Sequence, residues 1–382
     1  MRSQSKLGDR ISDLAQDYYT KLLSTSKPIT RSNGIQEWTV LACVVAIDEK
    51  EDVLRLVSLA TGVKATPDVE LRRSHGKILH DCHAEILAIR GFNTVLMKQA
   101  MLLNSCNSPR DVDLINACSD GYKVKDSWAF ALYVSRAPCG DASMDLLEDN
   151  DSAYFTAENL CQYVDPSVRT ILRGRFNYKK KGYVRTKPGR KDSNVTLSKS
   201  CTDKLCCRQS VSLLNAMNWE LFVEPVFLKY LVTPQVSDTL RNAFDRAFKT
   251  RVRDVPGLQV MELISCSKMF TGDKREATES PALLGGILLN VIPQNVPEQQ
   301  CIINGVKNGS YVKSPKPLRK NCESLVSRAA QWSLFKRLRP QEHNITYCSF
   351  KNKQIGRNAL KLKVRLALSR DGWVATKLDD CT

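Results

Sequence analysis

Asp81-Cys82-His83-Ala84-Glu85-Ile86 is the stretch on which the reading of this chain turns. It contains His-x-Glu and opens a helical apolar pattern, Ile86, Leu87, Ile89, Phe92, Val95 and Leu96, which predicts a helix to about Leu103. A strand-like run at 128–134 precedes Pro138-Cys139-Gly140-Asp141, where a second helix is expected to start and to reach about Leu147. A histidine and a carboxylate two residues apart, with a cysteine at the start of another element, supply two metal ligands and an acid–base group.

Outward from this stretch, residues 8–24 pattern as a helix with Ile11, Leu14, Tyr18 and Leu22 on one face. Strands are expected at 38–47 and 53–60, followed by a turn at Thr61-Gly62-Val63-Lys64. A polar linker at 104–125 leads to the run at 128–134. Further on, 219–232 reads as a strand broken at a proline. Residues 237–252 read as an amphipathic helix capped by Ser237, with Leu240, Phe244, Ala247 and Phe248 facing the core. Strand material is expected near 256–264 and 283–292, and a hairpin at 301–313 turning at Asn304-Gly305 or Asn308-Gly309. A helix is expected at 323–338. Alternating strands and helices argue for a layered α/β core. No repeat or compositional break divides the chain, so one domain over 1–382 is expected, with a metal-binding core over roughly 35–235 and a C-terminal α+β elaboration over roughly 236–382.

The net charge of +17 over 382 residues favours a polyanionic partner, nucleic acid first. The alternative is a basic protein without one. No run reaches the 18 or so apolar residues of a membrane span, and the polar start of the chain lacks the apolar stretch of a secretory signal. The expectation is a soluble intracellular protein, cytoplasmic or nuclear, with no membrane contact and no obligate protein partner. The 14 cysteines are then expected as thiols, mostly buried, with two at a metal. Residues 169–208 interleave basic groups with Phe176, Tyr178 and Tyr183, and glycines and prolines break any helix. The stretch reads either as a solvated surface loop or as an arm that grips phosphates, and the arm is preferred.

Zinc lowers the pKa of bound water to about 7, which suits hydrolytic removal of an exocyclic amine from a base. A catalytic zinc takes three protein ligands and keeps one position open. His83 and Cys139 supply two, with a helix N-terminus expected to favour the Cys139 thiolate. Glu85 sits close enough to move protons without binding the metal. Small nucleoside deaminases place the third ligand three residues after the first cysteine, but that position is Ala142 here. Another cysteine must close the site: Cys201 first, with Cys206 and Cys207 behind it.

At Asp81–Ile86, at Pro138-Cys139-Gly140-Asp141 and at Ser200-Cys201-Thr202-Asp203-Lys204 the chain resembles the adenosine deaminases acting on RNA. The similarity runs through nearly the whole chain, including Phe222-Val223-Glu224-Pro225. It implies a cytidine-deaminase-like mixed sheet with helices on both faces, the ligand set His83, Cys139 and Cys201, and Glu85 as the catalytic proton carrier. Only about 80 residues precede His83, too few for separate double-stranded-RNA-binding domains. Arg185-Thr186-Lys187-Pro188-Gly189-Arg190 also lacks the glutamate of the base-flipping loop of the mRNA-editing members. Both departures resemble the tRNA-specific branch in its fungal form, which makes inosine next to the anticodon of alanine tRNA.

The resemblance further implies a buried inositol hexakisphosphate, held by Arg90, Lys204, Tyr347, Lys351 and Lys361, with Arg208, Arg328, Arg357 and Lys377 as weaker matches. Ile89 stands where the family often has another arginine. Asp81 and Lys204 would relay hydrogen bonds from that ligand to the zinc site. Lys64 is a candidate substrate contact, and Lys187, Arg190 and Lys191 are candidate phosphate contacts. Three rivals share some of these features: an editing deaminase of double-stranded RNA or mRNA, a catalytically silent RNA-binding protein with structural zinc, and a deaminase of cytidine.

Overall fold

The structure is a computed structural model that describes residues 2–105, 112–147, 160–189, 193–194, 196–276, 278–292, 296–342, 344–376 and 379–382. At its centre lies strand β1 (Leu41–Asp48), every residue of which is buried. Its unbroken apolar run suits a strand covered on both faces. Successive side chains point to opposite faces. Leu41, Cys43, Val45 and Ile47 share a cluster with Ile11 and Ala15 of helix α1 (Arg2–Thr20). Ala42, Val44 and Ala46 share another with Leu87, Ala88 and Phe92 of α2 (Ala84–Leu103).

Strand β1 pairs antiparallel with β2 (Val53–Thr61) and β3 (Trp128–Val134). β4 (Tyr230–Pro234) and β5 (Glu262–Cys266) extend the sheet in parallel from β3. On the other side β6 (Leu284–Leu289), β7 (Glu298–Ile303) and β8 (Val306–Lys307) add antiparallel strands. The order is β5-β4-β3-β1-β2-β6-β7-β8. This is the expected α/β mixed sheet with helices on both faces. Among the described residues one helix, α2, is long and apolar enough to cross a membrane by length and composition, and its apolar side chains are core.

Helices α3 (Cys201–Ser210), α4 (Ala216–Leu221) and α5 (Asp238–Phe248) complete the middle of the chain. Ser237 caps α5 by accepting from Leu240 N, as expected. The C-terminal helices are α6 (Arg328–Leu338), α7 (Tyr347–Lys353) and α8 (Ile355–Leu368). Trp332 stacks on Phe335 at 5.3 Å and packs against Phe350 at 5.1 Å. All three belong to the cluster that contains the apolar face of α2.

Several local expectations change. Thr61–Lys64 is not a free turn: Val63–Ala65 pairs with Asp81–His83 as a two-stranded ribbon. Residues 219–232 do not form one strand, because Asn215 caps α4 by accepting from Asn218 N and β4 starts only at Tyr230. The strand expected at 256–264 lies at Glu262–Cys266, and the helix expected from 323 begins at Arg328 after its cap Ser327. Asn304, at φ 47°, and Gly305, at φ 83°, make the hairpin turn between β7 and β8.

Candidate metal and catalytic site

His83 ends the Asp81–His83 strand and directly precedes α2. Cys139 follows β3, and Cys201 is the first residue of α3. Their ligand atoms lie within 4.8 Å of one another. Cys139 Sγ is 3.6 Å from His83 Nδ1, and Cys201 Sγ is 3.7 Å from it. A tetrahedral zinc with ordinary Zn–S and Zn–N bonds needs a sulfur–nitrogen separation of about 3.6 Å. The three side chains therefore fit that ion. Cys206 is turned away and donates to Ala247 O at 3.1 Å.

The expected helix at Cys139 is absent. Gly140 adopts φ 107°, and Asp141–Leu146 forms a 3-10 turn. A Cβ at Gly140 would sit 2.2 Å from Ser200 Oγ, so only glycine lets the two cysteine turns close together. The helix N-terminus nearby belongs to α3 instead, and Cys201 N donates to Cys139 Sγ at 3.3 Å. The Cys201 thiol, Lys187 and His83 together hold Cys139 well below the usual thiol range, against burial. Burial and the Cys139 charge push Cys201 up. A coordinated dication reverses that second effect.

Glu85, in the first turn of α2, is 3% exposed, and its Oε2 is buried without a hydrogen-bond partner. Burial raises its pKa, while the His83 and Lys187 charges oppose that rise. A buried carboxyl oxygen aimed at no protein donor suits transient proton work.

Lys187 is not a surface phosphate contact. Its side chain is 2% exposed, and Nζ donates to both Asp81 oxygens at 2.8 Å and to Cys201 Sγ at 3.1 Å. Lys204 also donates to Asp81 Oδ2, and to Ser198 Oγ at 2.7 Å. Burial alone would raise the Asp81 carboxyl, but Lys187 and Lys204 hold it well below the carboxylate range. The expected phosphate-gripping arm is in large part internal. Phe176, Tyr178 and Arg185 are buried, and Arg185 donates to the carbonyls of Gly174, Phe176, Asn177 and Lys180. Its neighbours Arg190 and Lys191 lie outside the described residues, as does Lys377.

Lys64 faces Cys82 across the ribbon, whereas Val63 faces His83. Directly opposed residues share a face, so Lys64 lies on the reverse of the ribbon from the metal ligands. There it lines a cavity of about 260 Å3 with Thr66, Asn304 and Tyr311.

A second cluster is cationic. Burial comes first in depressing Arg90, Arg208, Lys351, Arg357 and Lys361, and like charges add to it: Arg328 acts on Arg90 and Lys351, Arg357 and Arg90 act on Arg208, and Arg365 acts on Lys351, Arg357 and Lys361. Arg90 and Arg208 are pushed down to about 10. Each keeps some accessible surface. Burial of so many like charges together disfavours their protonated forms. Arg328 joins them, 3.3 Å from Asp379 and over the Tyr347 ring. Arg365, which motif reasoning missed, belongs here too: its Nε, like Arg357 Nε and Trp332 Nε1, is buried without a partner. Its signal was the spacing Lys351, Lys361, Arg365, which runs along α7 and α8 toward one neighbour set. Orphaned donors on crowded cations fit a polyanion.

The sequence profile of the adenosine-deaminase (editase) domain matches residues 58–367. The chain is 46% identical to tRNA-specific adenosine deaminase 1 of Saccharomyces cerevisiae, over all of this chain and 96% of that protein. It is 33% identical to the protein of the same name from Schizosaccharomyces pombe, over 94% of each. It is 26% identical to the double-stranded RNA-specific adenosine deaminase of Mus musculus, over 65% of this chain and 21% of that protein.

Proposed function

Because this chain belongs to the adenosine-deaminase (editase) family, we propose that it converts adenosine to inosine in tRNA by zinc-dependent hydrolytic deamination. The target is the adenosine immediately 3′ of the anticodon of alanine tRNA. The observation that carries the chemistry is the unpartnered Oε2 of the buried Glu85 carboxyl, which feels the charges of the ligands His83 and Cys139. Identity along the full length to a tRNA-specific relative supports tRNA over duplex RNA.

His83, Cys139 and Cys201 would hold the ion. A zinc ion there supplies a Lewis acid that makes water nucleophilic at neutral pH. Glu85 takes the proton from the water that attacks C6 of the flipped base and passes it to N1. It then carries a proton to the departing amine, which leaves as ammonia. Lys187 balances negative charge between Asp81 and Cys201. The crowded cations Arg90, Arg208, Arg328, Lys351, Arg357, Lys361 and Arg365, with Tyr347 and Lys204, surround an inositol hexakisphosphate in this reading, and Asp81 and Lys204 link it to the metal site. Lys64, Arg190 and Lys191 contact the RNA.

The chain works as one domain inside the cell, in cytoplasm or nucleus, without an obligate protein partner. The shared cluster from Ala42 to Cys381 supports the single domain. The purified chain should therefore be incubated with a mixed tRNA pool and with a long RNA duplex, and inosine mapped by sequencing. Inosine beside the alanine anticodon is expected. Inosine in the duplex alone would overturn the tRNA reading.

A further inference from the structure

Two aspartates follow the two cysteine ligands at the same interval: Asp141 two residues after Cys139 and Asp203 two residues after Cys201. Both are fully buried. Each is held by an arginine from the same stretch of chain, α5 and the 3-10 turn Thr250–Val252 that follows it. Arg246 Nε donates to Asp141 Oδ2 at 3.0 Å, and its Nη2 donates to Asp141 O at 2.9 Å. Arg251 Nη2 donates to Asp203 Oδ1 at 2.9 Å. Arg251 also donates to Ala247 O at 3.2 Å and Tyr183 O at 3.3 Å, and its Nε lies 3.9 Å from Asp141.

The aspartates are in turn built into the turns that carry the ligands. Asp203 accepts from Arg185 N at 2.9 Å and from Ser200 Oγ, next to Cys201. Asp141 accepts from Gly182 N at 2.6 Å. Thr202 N donates to Cys139 O at 3.0 Å, stitching one turn to the other. A displacement of either aspartate therefore moves a cysteine.

We infer that Arg246 and Arg251 are positioning residues for the metal site: one segment outside both ligand-bearing turns braces them at the separation a zinc ion requires. The inference rests on the three-ligand fit and not on the identity of the RNA. Groups that orient metal ligands cost about 10–100-fold in metal affinity when removed.

The test uses the full chain loaded with zinc, with Arg246→Met as the main variant, since Arg246 is 25% exposed and its loss is the milder of the two. Arg251→Met, at 5% exposure, is the stronger and the one at risk of misfolding. Lys98→Met is the control. It breaks the ion pair with Glu298, but Lys98 lies about 20 Å along α2 from His83 by helical rise. Zinc release to a chromogenic chelator, thermal unfolding and the sulfur-to-metal absorption of the cobalt-substituted protein are measured for each.

Arg246→Met is expected to release zinc at least about tenfold faster than the unaltered chain and to shift the cobalt band. Arg246→Lys should recover part of the rate. Lys98→Met should lose stability without either change. If folded Arg246→Met releases zinc at the rate of Lys98→Met with an unshifted cobalt band, the brace is overturned and the arginines serve the fold alone.

Discussion

Lys187 Nζ lies 2.8 Å from both carboxylate oxygens of Asp81, and both side chains are withdrawn from solvent. Removing one member of a buried pair strands the other charge and costs about 3–5 kcal/mol. Lys204 still pairs with Asp81, so Lys187→Met is expected at the lower end, about 3 kcal/mol. The pH dependence follows from the two directions. Asp81 is depressed, so its contribution is complete above the ordinary carboxylate range and fades as pH falls below it. Lys187 is raised, so its contribution is complete below the ordinary lysine range. Urea unfolding should give a constant difference between the two proteins from about pH 5 to 9, shrinking below about pH 4.

Cys201 and its neighbours differ sharply in what their sulfur atoms face. Cys201→Ala should lose stoichiometric zinc, measured by elemental analysis after dialysis. Cys206→Ala should keep it, because that thiol serves a carbonyl of α5. Full zinc in Cys201→Ala would refute the ligand assignment.

The cationic cluster gives a prediction whose sign decides. With no anion present, burial and the charges of Lys351, Arg365 and Arg357 disfavour protonated Lys361. Lys361→Met would then stabilise the chain. With inositol hexakisphosphate bound, the same change removes a charge-assisted hydrogen bond and destabilises it by about 1.5–3 kcal/mol. Destabilisation is expected, together with recovery of the six-phosphate ligand by mass spectrometry from the acid-denatured protein.

Asp273 supplies a pH effect through a carboxyl that is not a metal ligand. Burial pushes its carboxyl up to about 6, although Arg136 opposes this from 3.4 Å. Between about pH 4 and 6 the folded chain then holds a proton that the unfolded chain has released, so stability falls as pH rises through that window. Asp273→Asn removes the effect. It should be about 1–2 kcal/mol more stable than the unaltered chain at pH 7.5, with little difference near pH 4.

The parts of this site that were legible in the sequence are those fixed by local pattern. Ile86, Leu87, Ile89 and Phe92 mark α2, and the unbroken run of β3 leads to Cys139. Cys201 ranks first among three downstream cysteines, but only the family motif separates it from Cys206 and Cys207, since it comes 62 residues after Cys139 and nothing local joins them. Lys187 was misread because alternating cations and glycines look like a solvated loop. What the pattern hid is long-range: Asp81 lies 106 residues away and supplies the charge that lets a lysine be buried. Arg185 stays inside for a similar reason: its two terminal nitrogens donate to four carbonyls of its own loop. The missing helix at Cys139 follows from Gly140, whose backbone is set by the approach of Ser200 rather than by its sequence neighbours.

On the proposed mechanism Glu85 moves protons at a metal held by other residues. The direct measurement is zinc content together with inosine formation in alanine tRNA for Glu85→Gln. Glu85→Gln should keep one zinc per chain while its rate falls at least about 100-fold. Zinc retained with deamination undiminished would contradict that mechanism.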